Sequence, residues 1–268
     1  MQHYLFPLLK PRSVARVGAS ERVGSLGRGV LENLLASHFT GELYLVNPNY
    51  RRVLDKPVYS SMADIGKPID LAVIVAPVAA VPSILRDERA QVRTAVIMSA
   101  PSTTDGATAP AWRREVAAIA AARNVRLVGP GAFGVVRSDI GLNATFCAPP
   151  TLLGRLSLVS QSGAVCTAML DFAAPIRIGF SSVISLGGGI DVGFGELLDS
   201  LLLDADTEGI LLYVESIADA RGSCPHCAPR RGPNPSLCSR QAARVKAAGK
   251  GYSHRVLHRH RTKCSTPH

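Results

Sequence analysis

Glycine and serine residues cluster where an apolar strand pattern changes into a helical one. Residues 13–35 read SVARVGASERVGSLGRGVLENLL. Glycine lets the backbone turn tightly and approach a ligand closely, and the free N–H groups and dipole at a helix start favour an anion. The pattern predicts a phosphate-binding turn, against the alternative of a turn whose glycines serve packing alone. Its candidate residues are Gly18, Ala19, Ser20, Gly24, Ser25 and Gly27.

A second turn of the same type follows the apolar run at 156–159. It reads SQSGA, and an amphipathic helical pattern extends from it to Phe172. Hydroxyl groups at a helix start suit an anion, so Ser160, Ser162 and Gly163 are candidates for a second phosphate site. The alternative is that Ser162 serves only as a helix N-cap.

The spacing of the first turn bears on which phosphate ligand it holds. A dinucleotide fingerprint has the glycine pattern GxGxxG and an acidic residue about twenty positions later that holds the ribose. This chain has GASxxxGSxG, and its second strand ends in Asn47-Pro48. This pattern argues against NAD as the ligand of the turn. A regulatory module that binds NAD remains the alternative function.

The elements that must position these turns alternate along the chain. Apolar strand patterns at 43–46, 71–75, 94–98 and 126–128 alternate with helical patterns at 81–89 and 111–123. Such alternation predicts a parallel sheet covered by helices on both faces. Ligands of these sheets bind beyond the carboxyl ends of the strands. The candidate residues at those ends are Gly18–Ser20, Asn47, Pro48, Ala76, Pro77, Ser99 and Ala100.

Several motifs, in order, resemble one known family. They are SVARVGAS-x3-GSLG, LYLVNPN, DLAVIVAP and VGPGAFGVV, followed by GLNATF, LSLVSQSGAVCTAMLD, GFSSVISLG and TEGILLYVESI. From about residue 11 to residue 221 the chain resembles the NDP-forming (ADP-forming) acyl-CoA synthetases, acetate–CoA ligases related to the succinyl-CoA synthetase α chain. The opening HYLFPLLKPRSVA is similar to forms fused to an acetyltransferase.

The resemblance implies a fold, a cofactor and a reaction. It implies a Rossmann-like, doubly wound coenzyme A-binding domain at 1–145 and an incomplete flavodoxin-like succinyl-CoA synthetase domain at 146–221. The first-domain candidates then line a coenzyme A cleft, and the second turn faces the transferred phosphate. Glu215 corresponds to a catalytic glutamate that positions a phosphorylated histidine, with an ordinary strand-end carboxylate as the alternative. The family's ATP-grasp part passes the phosphoryl group to a nucleoside diphosphate.

The chain departs from the family pattern at several positions. Only His3 and His38 precede residue 222, and neither lies in the motif of the relay histidine. Asn49 stands where the family usually has a basic residue, with Arg51 and Arg52 close by. Arg16 replaces an aliphatic residue in the first strand, and because a buried unpaired charge is costly, we expect it near a strand end or beside an acid.

Composition limits the class of protein. Hydrophobic residues make up 47% of the 268 residues, and apolar runs stay well short of the ~18 residues of a membrane span. The amino terminus shows no basic segment leading into a long apolar stretch, so the sequence predicts a cytoplasmic protein with no membrane partner. The net charge of +10 arises entirely from residues 222–268, which hold ten Lys and Arg residues and no acid.

The basic tail has two interpretations besides disorder. A zinc site is suggested by the Cys and His residues Cys224, Cys227, Cys238, His254, His258, His260 and Cys264, and the charge suggests nucleic acid. We favour a third explanation, translation out of frame. Back-translation of SCPHCA at 223–228 in the shifted frame allows FLSALR, and CSRQA at 238–242 allows a strand and glycine turn ending in LKAG. We therefore expect a disordered tail without metal or nucleic acid, on a coenzyme A-binding fragment that lacks the phosphohistidine and ATP-grasp parts and is inactive alone.

Overall fold

The computed structural model describes residues 3–102, 108–146 and 151–216, and the backbone of 254–258. The six helices are α1 (Phe6–Leu9), α2 (Leu26–Ala36), α3 (Val81–Arg86), α4 (Thr108–Ala122), α5 (Gly163–Ala173) and α6 (Phe194–Leu202). The first seven strands are β1 (Ser13–Val17), β2 (Glu42–Val46), β3 (Arg52–Val53), β4 (Lys56–Tyr59), β5 (Ile69–Ile74), β6 (Val92–Ile97) and β7 (Arg126–Val128). The remaining strands are β8 (Gly134–Arg137), β9 (Leu142–Thr145), β10 (Leu153–Ser160), β11 (Phe180–Ser185), β12 (Gly209–Tyr213) and β13 (His254–His258).

The first sheet has the strand order β3-β4-β2-β1-β5-β6-β7. All its neighbouring strands are parallel except β3 and β4. Every residue of β1 and β5 is buried, as expected for central strands covered on both faces. The chain proceeds from β1 to β2 on one side and later returns to β5 on the other. This reversal beside β1 is the point where such sheets open a crevice for a ligand, and it confirms the predicted doubly wound α/β fold.

The second sheet has the strand order β13-β12-β10-β11-β8-β9. Its centre, β12-β10-β11, is parallel, and β8, β9 and β13 run antiparallel to their neighbours. The predicted division at residue 145 does not follow the sheets, because β8 and β9 precede that residue and pair within the second sheet. The reason is that Val136 pairs with Val183 of β11 and both are buried against the same apolar layer.

One apolar core joins the two sheets. Helix α1 contributes Leu5 and Leu8, which are fully buried in a cluster with Val73 of the first sheet and Val159 and Ile184 of the second. The short amino-terminal helix therefore packs where the two sheets meet.

The tail is described only in part. Residues 254–258 form β13, which pairs antiparallel with β12 along the edge of the second sheet, where the sequence led us to expect disorder. The out-of-frame interpretation and the division of the chain into domains stay predictions. In the described parts of the chain, no helix is long and apolar enough to span a bilayer.

Candidate functional site

The glycine-rich turn begins at the carboxyl end of β1. Gly18 has φ +84°, a left-handed backbone conformation that favours glycine. Its N–H donates to the carbonyl of Val46 at 2.8 Å, so the turn is fastened to the end of β2. A Cβ atom at Gly18 would lie 2.1 Å from the carbonyl oxygen of Val75. Only glycine allows this approach between β1 and the segment after β5.

A cleft of about 440 Å³ opens at this point, beyond the ends of β1, β2 and β5. Five of the predicted cofactor-binding residues line it: Gly18, Asn47, Pro48, Ala76 and Pro77. The structure adds residues that the sequence analysis missed, among them Ser60, Met62, Ser83, Ile84 and Asp87. These come from the loop after β4 and from α3, and no motif in those segments marks them. The cleft combines apolar side chains with a few hydroxyl and carboxylate groups.

Asn47 has a role in holding the turn. Its side chain is buried, and Nδ2 donates to the carbonyl of Ala19 at 2.7 Å while Oδ1 accepts from the N–H of Asn49 at 2.9 Å. The side chain of Ala19 packs into a small apolar cluster with Leu31 and Leu45. An amide therefore stands at the end of β2, where NAD-binding folds use an acid for the ribose.

The start of α2 forms a shallower part of the site. Ser25 caps the helix by accepting from the N–H of Arg28 at 3.2 Å, and Ser20 accepts from the N–H of Arg22 at 3.1 Å. Gly24 and Ser25 line a depression of about 360 Å³ whose other wall includes Phe146. These hydroxyls therefore shape the turn, and the amides of Leu26 and Gly27 precede the first intrahelical hydrogen bonds of α2.

Ser99 and Ala100 lie farther along the sheet, beside the loop at 128–131. The carbonyl of Ser99 accepts from the N–H of Gly131 at 3.2 Å. Gly129 and Pro130 in that loop are joined by a cis peptide bond. The predicted set is thus divided. Five of its residues line the cleft, Gly24 and Ser25 line the depression, and Ser99 and Ala100 lie at this loop, outside the cleft. The other three, Ala19, Ser20 and Gly27, line neither cavity.

Arg16 lies one residue before the end of β1, directly under the turn. Its side chain is fully buried, and its guanidinium donates to the carbonyl groups of Val17, Gly18 and Gly27. None of the residues that the structure describes offers it a carboxylate partner. The expectation of a strand-end position is met, and backbone carbonyls take the place of an acid. Burial lowers the pKa of the Arg16 guanidinium to about 9. The nearby Arg51 and Arg52 are exposed.

The second turn has the predicted helix start. Ser162 is the N-cap of α5 and accepts from the N–H of Val165 at 3.4 Å. Ser160 accepts from the N–H of Ser162 at 2.9 Å and donates to the carbonyl of the same residue at 2.8 Å. Both hydroxyls therefore build the turn, and the amides of Gly163 and Ala164 precede the first intrahelical hydrogen bonds.

Gln161 ties this turn to Glu215, a link that the sequence analysis missed. Its Oε1 accepts from the backbone N–H groups of Glu215 at 2.7 Å and Ser216 at 2.9 Å, and its Nε2 donates to the carbonyl of Ser216 at 2.9 Å. The structure thus brings exposed Glu215 beside the second turn. The only signal in the sequence was the position of Gln161 between two serines.

Metal ligands were a second possibility for this chain. Within the described ranges, no three His, Cys, Asp or Glu side chains cluster as metal ligands. The candidate zinc ligands Cys224, Cys227, Cys238 and Cys264 lie outside the described residues, and only the backbone of His254 is described.

Comparisons with known proteins match both sheets to named domains. A CoA binding domain model matches residues 12–138, and a model of the succinyl-CoA ligase like flavodoxin domain matches residues 153–228. The fold and the glycine-rich turn thus define an α/β chain with a coenzyme A-binding domain followed by a ligase-type flavodoxin domain. The chain resembles the coenzyme A-binding, α-type region of the ADP-forming acyl-CoA synthetases.

Individual relatives support the same assignment. An ADP-forming acetate–CoA ligase of Methanocaldococcus jannaschii is 38% identical over 79% of this chain and 30% of its own length. The α subunit of ADP-forming acetate–CoA ligase I of Pyrococcus furiosus is 34% identical over 80% of this chain and 47% of its own length. The chain therefore spans less than half the length of these curated relatives.

A solved structure agrees in fold. The acetyl-coenzyme A synthetase 1 of Ca. Korarchaeum cryptofilum, in complex with phosphate and ADP, superposes with a TM-score of 0.78 at 32% identity. The match covers 83% of this chain and 48% of that one.

Proposed function

We propose that the 440 Å³ cleft binds coenzyme A, free or acylated, with its phosphate groups against the glycine-rich turn. The observation that carries this proposal is the close approach at Gly18, where bare backbone faces the cleft between the ends of β1, β2 and β5. The apolar wall from Met62 and Ile84 suits the adenine or the pantetheine arm. The amides at the start of α2 suit phosphate.

We further propose that the chain acts as the coenzyme A-binding part of an ADP-forming acyl-CoA synthetase. The overall reaction converts acyl-CoA, phosphate and a nucleoside diphosphate into the free acid, coenzyme A and a nucleoside triphosphate. The turn at Ser160, Ser162 and Gly163 holds the phosphoryl group at the start of α5. Glu215, held beside that turn by Gln161, orients the histidine that carries the group.

The proposal requires partners that supply the remaining chemistry. Of the histidines whose side chains the structure describes, His3 lies by the amino ends of the first sheet and His38 follows α2. Neither is placed at the second turn. An ATP-grasp domain or subunit must hold the nucleotide, so we expect the chain alone to form no thioester from acetate, ATP and coenzyme A.

Isothermal titration of the full chain with acetyl-CoA tests the binding proposal. We expect one molecule bound per chain, no comparable binding of NADH, and loss of acetyl-CoA binding in Gly18→Ala. Gly66→Ala is the control, because Gly66 has a similar φ of +67° but open space around its Cβ position. A cooperatively folded protein that takes up no acetyl-CoA would contradict the proposal.

A further inference from the structure

A buried cation lies under the glycine-rich turn. The side chain of Arg16 is fully buried in the central strand of the first sheet, between Leu45 of β2 and Val73 of β5. Its Nη2 donates to the carbonyl of Gly27 at 2.9 Å and lies 3.4 Å from the carbonyl of Gly18. One guanidinium group therefore joins the first residue of the turn to the first turn of α2.

This contact leaves little room for a side chain at Gly27. A Cβ atom at Gly27 would lie 3.0 Å from Nη2 of Arg16. Gly27 is buried, so the group that crowds this position is the arginine beneath it rather than a ligand above. The planar, five-donor guanidinium can hold two carbonyl groups at a set separation, which a single ammonium group cannot do in the same way.

The charge of Arg16 is left without a compensating partner. Its donors reach only backbone carbonyls, its Nε is buried without a hydrogen-bond partner, and the described residues include no acid in contact with it. An uncompensated buried charge is costly to fold. An anion bound at the turn would supply the missing negative charge, and the amides at the start of α2 point to the same anion.

We propose that Arg16 is a positioning residue for the phosphate group of coenzyme A. It fixes the distance between Gly18 and Gly27 and so sets the shape of the turn, and its positive charge strengthens the attraction of the turn for phosphate. This inference rests on the proposed coenzyme A site and assigns a role to a residue at which the chain departs from the family pattern.

Two variants and a matched control test this role in the full chain. Arg16→Met removes the charge and the donors but keeps much of the apolar stem, and Arg16→Lys keeps the charge. Arg12→Met is the control, because exposed Arg12 precedes the opposite end of β1. We expect the affinities for acetyl-CoA and for adenosine 3′,5′-bisphosphate to fall about tenfold in Arg16→Met, to recover in part in Arg16→Lys, and to stay unchanged in the control.

Hydrogen exchange of the unliganded variants separates this inference from the proposed function. In Arg16→Met we expect the amides of residues 18–29 to exchange at least about tenfold faster while the rest of the first sheet keeps its protection. If acetyl-CoA does not bind wild type but this local loss of protection is seen, the proposed function fails, the phosphate-positioning role fails with it, and only the shaping of the turn by Arg16 stands. Unchanged affinity together with unchanged protection, or a uniform loss of protection across the sheet, overturns the inference.

Discussion

The side-chain amide of Gln161 holds the backbone of Glu215 in place. Its Oε1 accepts from the Glu215 N–H at 2.7 Å, although the two residues are 54 positions apart. The adjacent Ser216 is bound through both its N–H and its carbonyl group. Gln161 therefore connects the turn before α5 to the segment after β12, which places the backbone of Glu215 beside a turn whose helix start suits phosphate.

Replacement of Gln161 by alanine tests this link. Three hydrogen bonds are lost, and we expect the free energy of unfolding to fall by about 1–3 kcal/mol. Exchange of the amides at 214–216 should accelerate more than that of β10. Gln91→Ala, at an exposed glutamine just before β6, should change neither quantity. Equal protection of residues 214–216 in wild type and Gln161→Ala would show that the Gln161 side chain does not hold this segment in place.

Gly18→Ala should destabilise the first sheet through a steric conflict. The new Cβ would lie 2.1 Å from the carbonyl oxygen of Val75, in addition to the strain of a positive φ. We expect the free energy of unfolding, measured in urea, to fall by about 3 kcal/mol or more because of this strain and the overpacking. Gly66→Ala introduces the strain of a positive φ without a steric conflict, and its free energy of unfolding should fall by about 1 kcal/mol. Similar losses in both variants would mean that β1 and β5 adjust freely.

Asn47→Ala should loosen the connection between the first two strands. The variant leaves the buried carbonyl of Ala19 without the donor that now lies 2.7 Å away, at an expected cost of about 1–3 kcal/mol. We also expect weaker binding of acetyl-CoA by titration, since the same residue lines the cleft. Asn49→Ala is the control for stability alone, because Asn49 is exposed and keeps its backbone N–H but also lines the cleft. Full retention of stability and affinity in Asn47→Ala would contradict this role.

Acid should weaken a buried ion cluster in the second sheet. Arg137 is fully buried and binds Asp204 through Nη1 at 2.5 Å and Nη2 at 2.9 Å, and it also binds Asp139. Burial raises the pKa of each carboxyl group, but the hydrogen bonds and charge of Arg137 outweigh it and hold both pKa values below their usual range. The stabilisation is therefore complete above an unfolded-state pKa of about 3.9 and is lost as pH falls below it.

Urea unfolding between pH 6 and pH 3 checks this cluster. Wild type should lose stability below about pH 4. Arg137→Met should be destabilised at pH 6 by about 3–5 kcal/mol, because Asp139, Asp204 and Asp206 lose the guanidinium and keep only Lys10 as a cationic partner. Its further loss on acidification should be smaller than that of wild type. Lys67→Met, which breaks an exposed pair with Glu42, should leave the acid transition unchanged. A steeper acid loss in Arg137→Met would contradict the assignment.

The out-of-frame interpretation of residues 222–268 also has a direct test. Sequencing the gene across the codons for residues 221–223 should reveal one nucleotide missing or extra, with family-like residues in the corrected frame. If the frame stands, zinc analysis of the purified chain becomes the decisive measurement for the Cys and His residues of the tail.

The sequence by itself determined the class of fold and the places where phosphate can bind. Continuous Val, Ile and Leu runs alternating with helical patterns require a covered parallel sheet, and the strands predicted at 43–46, 71–75, 94–98 and 126–128 correspond to β2, β5, β6 and β7. The start of α5 was likewise predictable, because a serine N-cap bonds to a backbone N–H only a few residues later in the sequence. These features depend on local backbone chemistry, which a sequence displays directly.

Only the tertiary structure decided which distant segments of the chain come into contact with one another. Strands β8 and β9 join the second sheet because their apolar faces pack there. The pattern of apolar residues in a strand does not show which sheet the strand belongs to. The partners of Arg16 are backbone carbonyls of the turn above it, and carbonyl groups carry no sequence signature. Gln161 meets Glu215 because β10 and β12 are neighbours in the sheet. Such contacts follow from the order of the strands in space, which burial of the shared core determines.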